Sequence, residues 1–170
     1  MNGVDLKGVG RRKIMYDALT IARYVVNYCN QKGYGISNLK LQKLLYFIQA
    51  YFVVFTDKEQ PCFREKIEAW DFGPVVPEVY HEFKRFGGNS IPSIEYYYEN
   101  DGEFLKRVKY DKGEIHKEDQ QNIELVINQM AKFSASSLVE LTHNQAPWKD
   151  AHIPHSRGII TIDSLKDYFK

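Results

Sequence analysis

The sequence has few cysteines and no paired ones: among 170 residues only Cys29 and Cys62 occur, and neither belongs to a CxxC pair. No disulfide framework is therefore predicted. This cysteine usage is typical of a reducing, cytoplasmic environment, in which we expect both thiols to pack as small apolar groups.

Long hydrophobic runs are also missing. The densest one, Leu44 to Phe55, is interrupted by Gln49 and is too short to cross a bilayer. The basic N-terminus is followed by no apolar stretch of signal-peptide length. We therefore predict a soluble intracellular protein without membrane contacts. Residues 1–14 are predicted to form a flexible tail, and residues 15–170 a single compact domain.

Neither sign of charge is in excess, because 23 Lys and Arg residues face 22 Asp and Glu residues. This balance argues against a strong global attraction to nucleic acid. Small basic groups occur at residues 11–13, at Lys40 and Lys43 on one helix face, and at residues 106–109. Solvated helix and strand faces are the default interpretation of such groups, so nucleic-acid binding is an alternative of low weight.

Motifs for catalysis are absent from the sequence. It contains no GxSxG nucleophile elbow and no phosphate-binding loop. His152 and His155 flank Pro154, and no further ligand at metal-site spacing accompanies them, so we expect a surface loop there. Asp71 is the best single candidate for a carboxylate with a perturbed pKa, although it is equally suited to capping a turn. We predict no catalytic residue, no cofactor and no metal, and hence a protein that is not an enzyme.

Helical periodicity dominates what is present. A first helix begins near Tyr16 and ends at Gly33, where glycine favours helix termination. Ser37 is a good N-cap for a second helix over residues 38–55. Apolar residues cover nearly all faces of this second helix, so we expect it to lie at the centre of the fold.

The segment WDFGPVVPEVYHEF (residues 70–83) combines an extended approach, a break and a helix start. Residues 66–72 have an extended pattern, and Gly73-Pro74 interrupts it. Pro77 is suited to the first position of a helix, which we expect to end at Gly87.

The second half of the chain predicts three more helices and one uncertain excursion. Residues 94–110 are predicted as a β-hairpin or an irregular excursion. A helix follows over residues 117–133. Ser137 and Glu140 resemble a capping box for another helix, which Pro147 is expected to stop. The last helix begins at Thr161 or Asp163. The predicted class is mainly α, with five to six helices in one domain.

Three blocks, in this order and spacing, resemble one protein family. They are ISNLKLQKLLYFIQAYFV (residues 36–53), IEAWDFGPVVPEVYHEFKRFG (residues 67–87) and LVELTHNQAPWKDA (residues 138–151). Together they resemble the Panacea antitoxin domain, the SocA-like family that includes phage-associated proteins. The resemblance covers the chain from Tyr16 to Phe169, and its second block is the most specific.

The resemblance implies an antitoxin of a bacterial or prophage toxin–antitoxin system, which neutralises a cognate toxin by direct protein–protein binding. The alternatives are a proteolytic adaptor that delivers a toxin to a Clp-type protease and a nucleic-acid-binding regulator. The toxin and the oligomeric state are not indicated by the sequence.

Aromatic anchors supply much of the binding energy at protein interfaces, so the aromatic residues of these blocks are natural candidates. Phe83 is predicted to be core, while Trp70 is equally consistent with a core position and with an exposed anchor. Three adjacent tyrosines at residues 96–98 cannot all face one core, so at least one ring should be exposed. The candidate partner-binding residues are Trp70, Asp71, Phe72, Gly73, Pro74, Tyr80, Tyr97 and Trp148.

Overall fold

A computed structural model describes residues 15–170 of the chain. The predictions for residues 1–14, a flexible tail with a basic group at residues 11–13, lie outside the described residues. The described residues form seven α-helices: α1 (Ala18–Lys32), α2 (Asn38–Phe55), α3 (Pro77–Phe83), α4 (Lys117–Met130), α5 (Ala135–His143), α6 (Ala146–Ala151) and α7 (Ile162–Phe169). They also form five strands: β1 (Ile67–Trp70), β2 (Gly73–Val75), β3 (Tyr96–Asp101), β4 (Phe104–Lys109) and β5 (Gly158–Ile160). The mainly α prediction is confirmed.

The first two helices end and begin at the residues that the sequence predicts. Gly33 caps α1 in the left-handed conformation, with φ of 72°. The Ser37 hydroxyl accepts a 3.2 Å hydrogen bond from the Lys40 backbone N–H at the start of α2. Both helix ends are therefore set by local chemistry.

Helix α2 is the centre of the fold. It packs against α1, α3, α4, α5 and α7 and against β2. Two of its glutamines fix neighbouring loops. The Gln42 amide oxygen accepts a 2.9 Å hydrogen bond from the Val76 N–H, and the Gln49 amide N–H donates a 2.9 Å hydrogen bond to the Phe63 carbonyl. Because both side chains are buried, these contacts satisfy backbone groups that water does not reach.

A three-stranded antiparallel sheet with the order β2-β1-β5 lies against this helical core. Ala69 at its centre pairs with Pro74 on one side and with Gly158 on the other. The extended pattern of residues 66–72 predicted β1, whereas β5 was not predicted. The sheet joins two segments that are far apart in sequence.

The hairpin alternative for residues 94–110 is the correct one. Strands β3 and β4 pair from Tyr96↔Lys109 to Asp101↔Phe104. Gly102 has φ of 69° in the turn, a conformation that glycine adopts at little cost. The excursion is therefore an ordered antiparallel ribbon.

Two helix-boundary predictions in the C-terminal third are wrong. The N-cap of α5 is Ser134, whose hydroxyl accepts a 3.1 Å hydrogen bond from the Ser137 N–H. Ser137 therefore lies inside the helix. Pro147 does not stop this helix; it lies in the first turn of α6, where its missing N–H costs nothing. One predicted helix is thus two, which accounts for seven helices in place of five to six.

None of the helices formed by residues 15–170 combines the length and the apolarity that a membrane span needs.

Candidate functional site

A two-residue turn between β1 and β2 carries most of the predicted site residues, and we refer to residues 70–74 as the 70–74 turn. Trp70 pairs with Gly73 across the two strands, which leaves Asp71 and Phe72 at the tip. Phe72 is 72% exposed, and Asp71 is exposed beside it. Pro74 and Gly73 are buried at the base of the turn.

Gly73 allows the turn to lie directly on two helices. Its φ is +101°, a conformation that L side chains rarely adopt. A Cβ added there would be 2.6 Å from Lys43 Cε on α2 and 2.9 Å from Thr142 Oγ1 on α5. The backbone of the turn therefore fills the space between α2 and α5, with no room for a side chain.

Lys43 lies beneath the turn and is fully buried. Its ammonium group donates a 3.0 Å hydrogen bond to the Pro74 carbonyl. Burial lowers the pKa of Lys43 from 10.5 to about 7, because the charged form is disfavoured away from water.

The prediction that Lys40 and Lys43 form a solvated basic face is wrong. Lys40 is also buried, and its ammonium group donates a 3.1 Å hydrogen bond to the Ala131 carbonyl. Neither lysine presents its charge to a phosphate. This part of the nucleic-acid alternative therefore loses its basis.

Trp148 of α6 attaches the turn to the C-terminal part of the chain. Its indole N–H donates a 2.9 Å hydrogen bond to the Trp70 carbonyl. Its ring is stacked on His143 at 4.0 Å and on His152 at 4.3 Å between centroids. Two rings at these distances cannot share one face of the indole, so Trp148 lies between the two imidazoles.

The outer imidazole reaches the tip of the turn. His152 Nε2 lies 2.9 Å from Asp71 Oδ1, and because an ionised carboxylate only accepts, Nε2 carries the proton. A surface loop was expected at His152, and this contact was missed. The spacing of four between Trp148 and His152 places their side chains on one helix face, and it is the sequence signal that indicates the stack.

The inner imidazole is half-buried. His143 Nε2 is buried without a hydrogen-bond partner within residues 15–170. Burial lowers the pKa of His143, and a backbone hydrogen bond to Asp71 acts in the opposite direction. The neutral form of His143 is therefore favoured between α5 and the turn.

Trp70 is half-buried, so it is neither a core residue nor a freely exposed anchor, the two positions that the sequence left open. Its ring meets Tyr80 of α3 edge to face, with 5.0 Å between centroids, and the Arg157 guanidinium lies 4.9 Å from its centroid. Its indole N–H donates a 2.6 Å hydrogen bond to the Glu68 carboxylate. Trp70 and Tyr80 thus support the flank of the turn.

Tyr97 is separate from this cluster. It is only 7% exposed, and its ring centroid lies 3.5 Å from the Arg23 guanidinium carbon. Its neighbours Tyr96 and Tyr98 are exposed, which confirms that the three rings do not all face the core. The core position predicted for Phe83 is confirmed as well. Seven of the eight candidate residues therefore lie together, and the eighth, Tyr97, belongs to strand β3 of the hairpin.

The cluster has the geometry of a contact surface. Within residues 15–170, no group of three or more His, Cys, Asp and Glu side chains could hold a metal ion. The Thr142 hydroxyl donates a 2.9 Å hydrogen bond to the Val139 carbonyl, and the Lys43 side chain does not reach solvent. The interactions around the turn fix its backbone and leave Phe72 projecting from it.

The chain matches the family described as Antitoxin SocA-like, Panacea domain, over residues 41–149, a range that includes the 70–74 turn and Trp148. It is 36% identical over 135 residues to the antitoxin SocA of Caulobacter vibrioides (strain NA1000 / CB15N), covering 78% of this chain and 68% of that relative. No solved structure matches it. The resemblance noted in the three sequence blocks is thus confirmed, and the chain belongs to the antitoxin SocA-like, Panacea domain family.

Proposed function

We propose that this protein is an antitoxin that neutralises a cognate toxin by binding it directly, and that the 70–74 turn contacts the toxin. Membership of the antitoxin SocA-like family supports the antitoxin role. The observation that carries the contact surface is Phe72, a 72%-exposed aromatic ring at the tip of a turn whose flanking residues are held by specific contacts.

The turn is held from two sides. Lys43 bonds the Pro74 carbonyl from below, and Trp148 bonds the Trp70 carbonyl from the C-terminal side. Because these contacts already restrict the backbone, binding through Phe72 requires little further ordering. Exposed aromatic residues on such preorganised segments are typical of the residues that dominate binding energy.

The test is co-expression with the product of the neighbouring gene, followed by measurement of the affinity of the purified pair. The wild-type chain should restore growth and bind the toxin in a stable complex. Phe72→Ala should weaken the affinity by about tenfold or more, as expected for an aromatic anchor.

Phe55→Ala is the matched control, because Phe55 is 61% exposed at the end of α2. It should bind as the wild type does. A neighbouring gene product that is harmless alone, or equally toxic beside this protein, contradicts the function. Loss of toxin that requires a Clp-type protease contradicts neutralisation by binding alone. Equal affinities of Phe72→Ala and Phe55→Ala contradict only the proposed surface.

A further inference from the structure

A concave site lies beside the hairpin, and it is formed by residues other than those of the 70–74 turn. It is a cavity of about 310 Å³ between α1, α3 and β3–β4. Arg23 of α1 lines it together with Tyr97 and Phe83, and we refer to it as the Arg23 cavity. Nothing in the proposed role of the turn uses these residues.

Arg23 is an unpaired cation in a buried position. It is only 6% exposed, and its guanidinium lies over the Tyr97 ring. Among residues 15–170, its side chain forms no hydrogen bond and no ion pair within 4.0 Å. A guanidinium has five N–H donors in a planar fork. No Arg23 nitrogen is among the fully enclosed side-chain atoms of residues 15–170 that lack a hydrogen-bond partner, so its donors without a protein acceptor reach the solvent that fills the cavity.

The charges around the Arg23 cavity are mixed but leave its donors free. Burial lowers the pKa of Arg23, while Glu82, Glu99 and Glu114 raise it from a distance. Of these carboxylates Glu82 lines the cavity, and Arg85 lines it as a second cation. An incoming anion therefore meets two guanidinium groups and one carboxylate along the cavity wall.

The walls and rim of the Arg23 cavity are apolar and aromatic. Tyr96, Tyr98, Leu105 and Ile94 line it. Leu105, Tyr98 and the neighbouring Phe104 are strongly exposed, so the apolar surface extends beyond the cavity itself. A small free anion would leave this rim uncovered, whereas an acidic side chain within an apolar polypeptide segment would cover both parts.

We propose that the Arg23 cavity is a carboxylate-binding site that accepts a Glu or Asp side chain, flanked by apolar residues, from a protein partner. The carboxylate takes the fork of Arg23, a pairing that guanidinium geometry favours, and the apolar neighbours rest on the hairpin tyrosines and Leu105. The proposal rests on the proposed function in one respect, which is that the partner is the toxin.

The experiment titrates the full ¹⁵N-labelled chain with two synthetic peptides, acetyl-Leu-Glu-Leu-amide and acetyl-Leu-Gln-Leu-amide, and follows the Arg23 Nε–H signal by NMR. The Glu peptide should give a saturable shift with a Kd of about 1 mM. The Gln peptide should bind at least tenfold more weakly, since it lacks the charge. Arg23→Met should abolish the response of the Tyr97 signals to the Glu peptide, and Arg64→Met, which changes a surface arginine elsewhere, should preserve it.

The wild-type comparison of the two peptides needs no variant, so a folding defect in Arg23→Met does not remove the test. Equal responses to both peptides, or none at concentrations of about 10 mM, overturn the proposal. Inorganic phosphate that shifts the Arg23 signal at lower concentration than the Glu peptide also overturns it, because a free anion is then preferred. If the wild type neutralises the toxin and Arg23→Met does so with the same affinity, the cavity has no role in toxin binding and the antitoxin function stands.

Discussion

The Nζ atom of Lys43 lies 3.0 Å from the carbonyl oxygen of Pro74, and both residues are buried. This contact joins the central helix to the strand that follows the exposed turn. It places an ionisable group where water does not reach, and burial lowers the pKa of Lys43 to about 7. Protonation of Lys43 is consequently coupled to folding.

We predict that the free energy of unfolding rises by about 2 kcal/mol between pH 7 and pH 9. The pKa of Lys43 is 10.5 when unfolded and about 7 when folded. In this window the unfolded state therefore binds more protons, and raising the pH favours the folded state. Urea denaturation across the range measures the effect.

Lys43→Met is the control for this prediction, because its side chain has similar length and does not titrate. The variant should lose the rise, and an unchanged rise would contradict the assignment to Lys43. The window ends near pH 9, since burial raises the pKa of Cys29 to about 11 and that of Cys62 well above 9.0. Above that pH their thiols ionise in the unfolded state first, which lowers stability.

Gly73→Ala should destabilise the protein by about 3 kcal/mol, from backbone strain and from overlap with Lys43 and Thr142. Gly102→Ala is the matched control: it also has positive φ, but no atom lies within 4 Å of the added methyl group. Its cost should be about 1 kcal/mol. Equal losses in the two variants, measured by urea denaturation, would show that crowding at Gly73 is relieved at no cost.

Trp148→Phe should lower the free energy of unfolding by about 1 to 2 kcal/mol. The substitution removes the indole N–H that bonds the Trp70 carbonyl and part of the ring stacked between the two imidazoles. Trp70→Phe removes an indole N–H that bonds the Glu68 side chain, so its cost should be smaller. The reverse order in thermal or urea unfolding would contradict the role of Trp148 in holding the turn.

Ser134→Ala should cost about 1 kcal/mol, because the Ser134 hydroxyl caps α5. Ser137→Ala should change stability by less than about 0.5 kcal/mol, since alanine is the better residue inside a helix. Comparable losses for both variants would restore the capping role that the sequence pattern assigned to Ser137.

The helices were predictable where local chemistry decides them. Ser37 and Gly33 act within one turn of the helix they bound, and Pro77 opens α3 because its fixed φ suits that position. Pro147 shows the limit of such reasoning, since a proline in the first turn of α6 and a proline that ends α5 look alike in sequence.

The features that were not predicted depend on distant segments. Strand β5 has three residues and no periodicity, and its partner β1 lies about 90 residues earlier. The sequence places Lys43 on a solvated face because the acceptor that holds it, the Pro74 carbonyl, comes from another part of the chain. The sequence groups Tyr97 with the surface anchors for the same reason, because Arg23 covers its ring only in the folded state. Seven of the eight predicted contact residues lie close together in the fold, because they come from two sequence blocks that pack against each other.

The pairing of β1 with β5 has a consequence for protein synthesis. At translation rates of about 5–20 residues per second, β5 leaves the ribosome on the order of ten seconds after β1. Until then the edge of β1 that β5 covers has no partner, and Gly158 is not yet opposite Ala69. A chain interrupted between β2 and β5 contains only the β1–β2 pair, so the complete three-stranded sheet forms only after translation has passed β5.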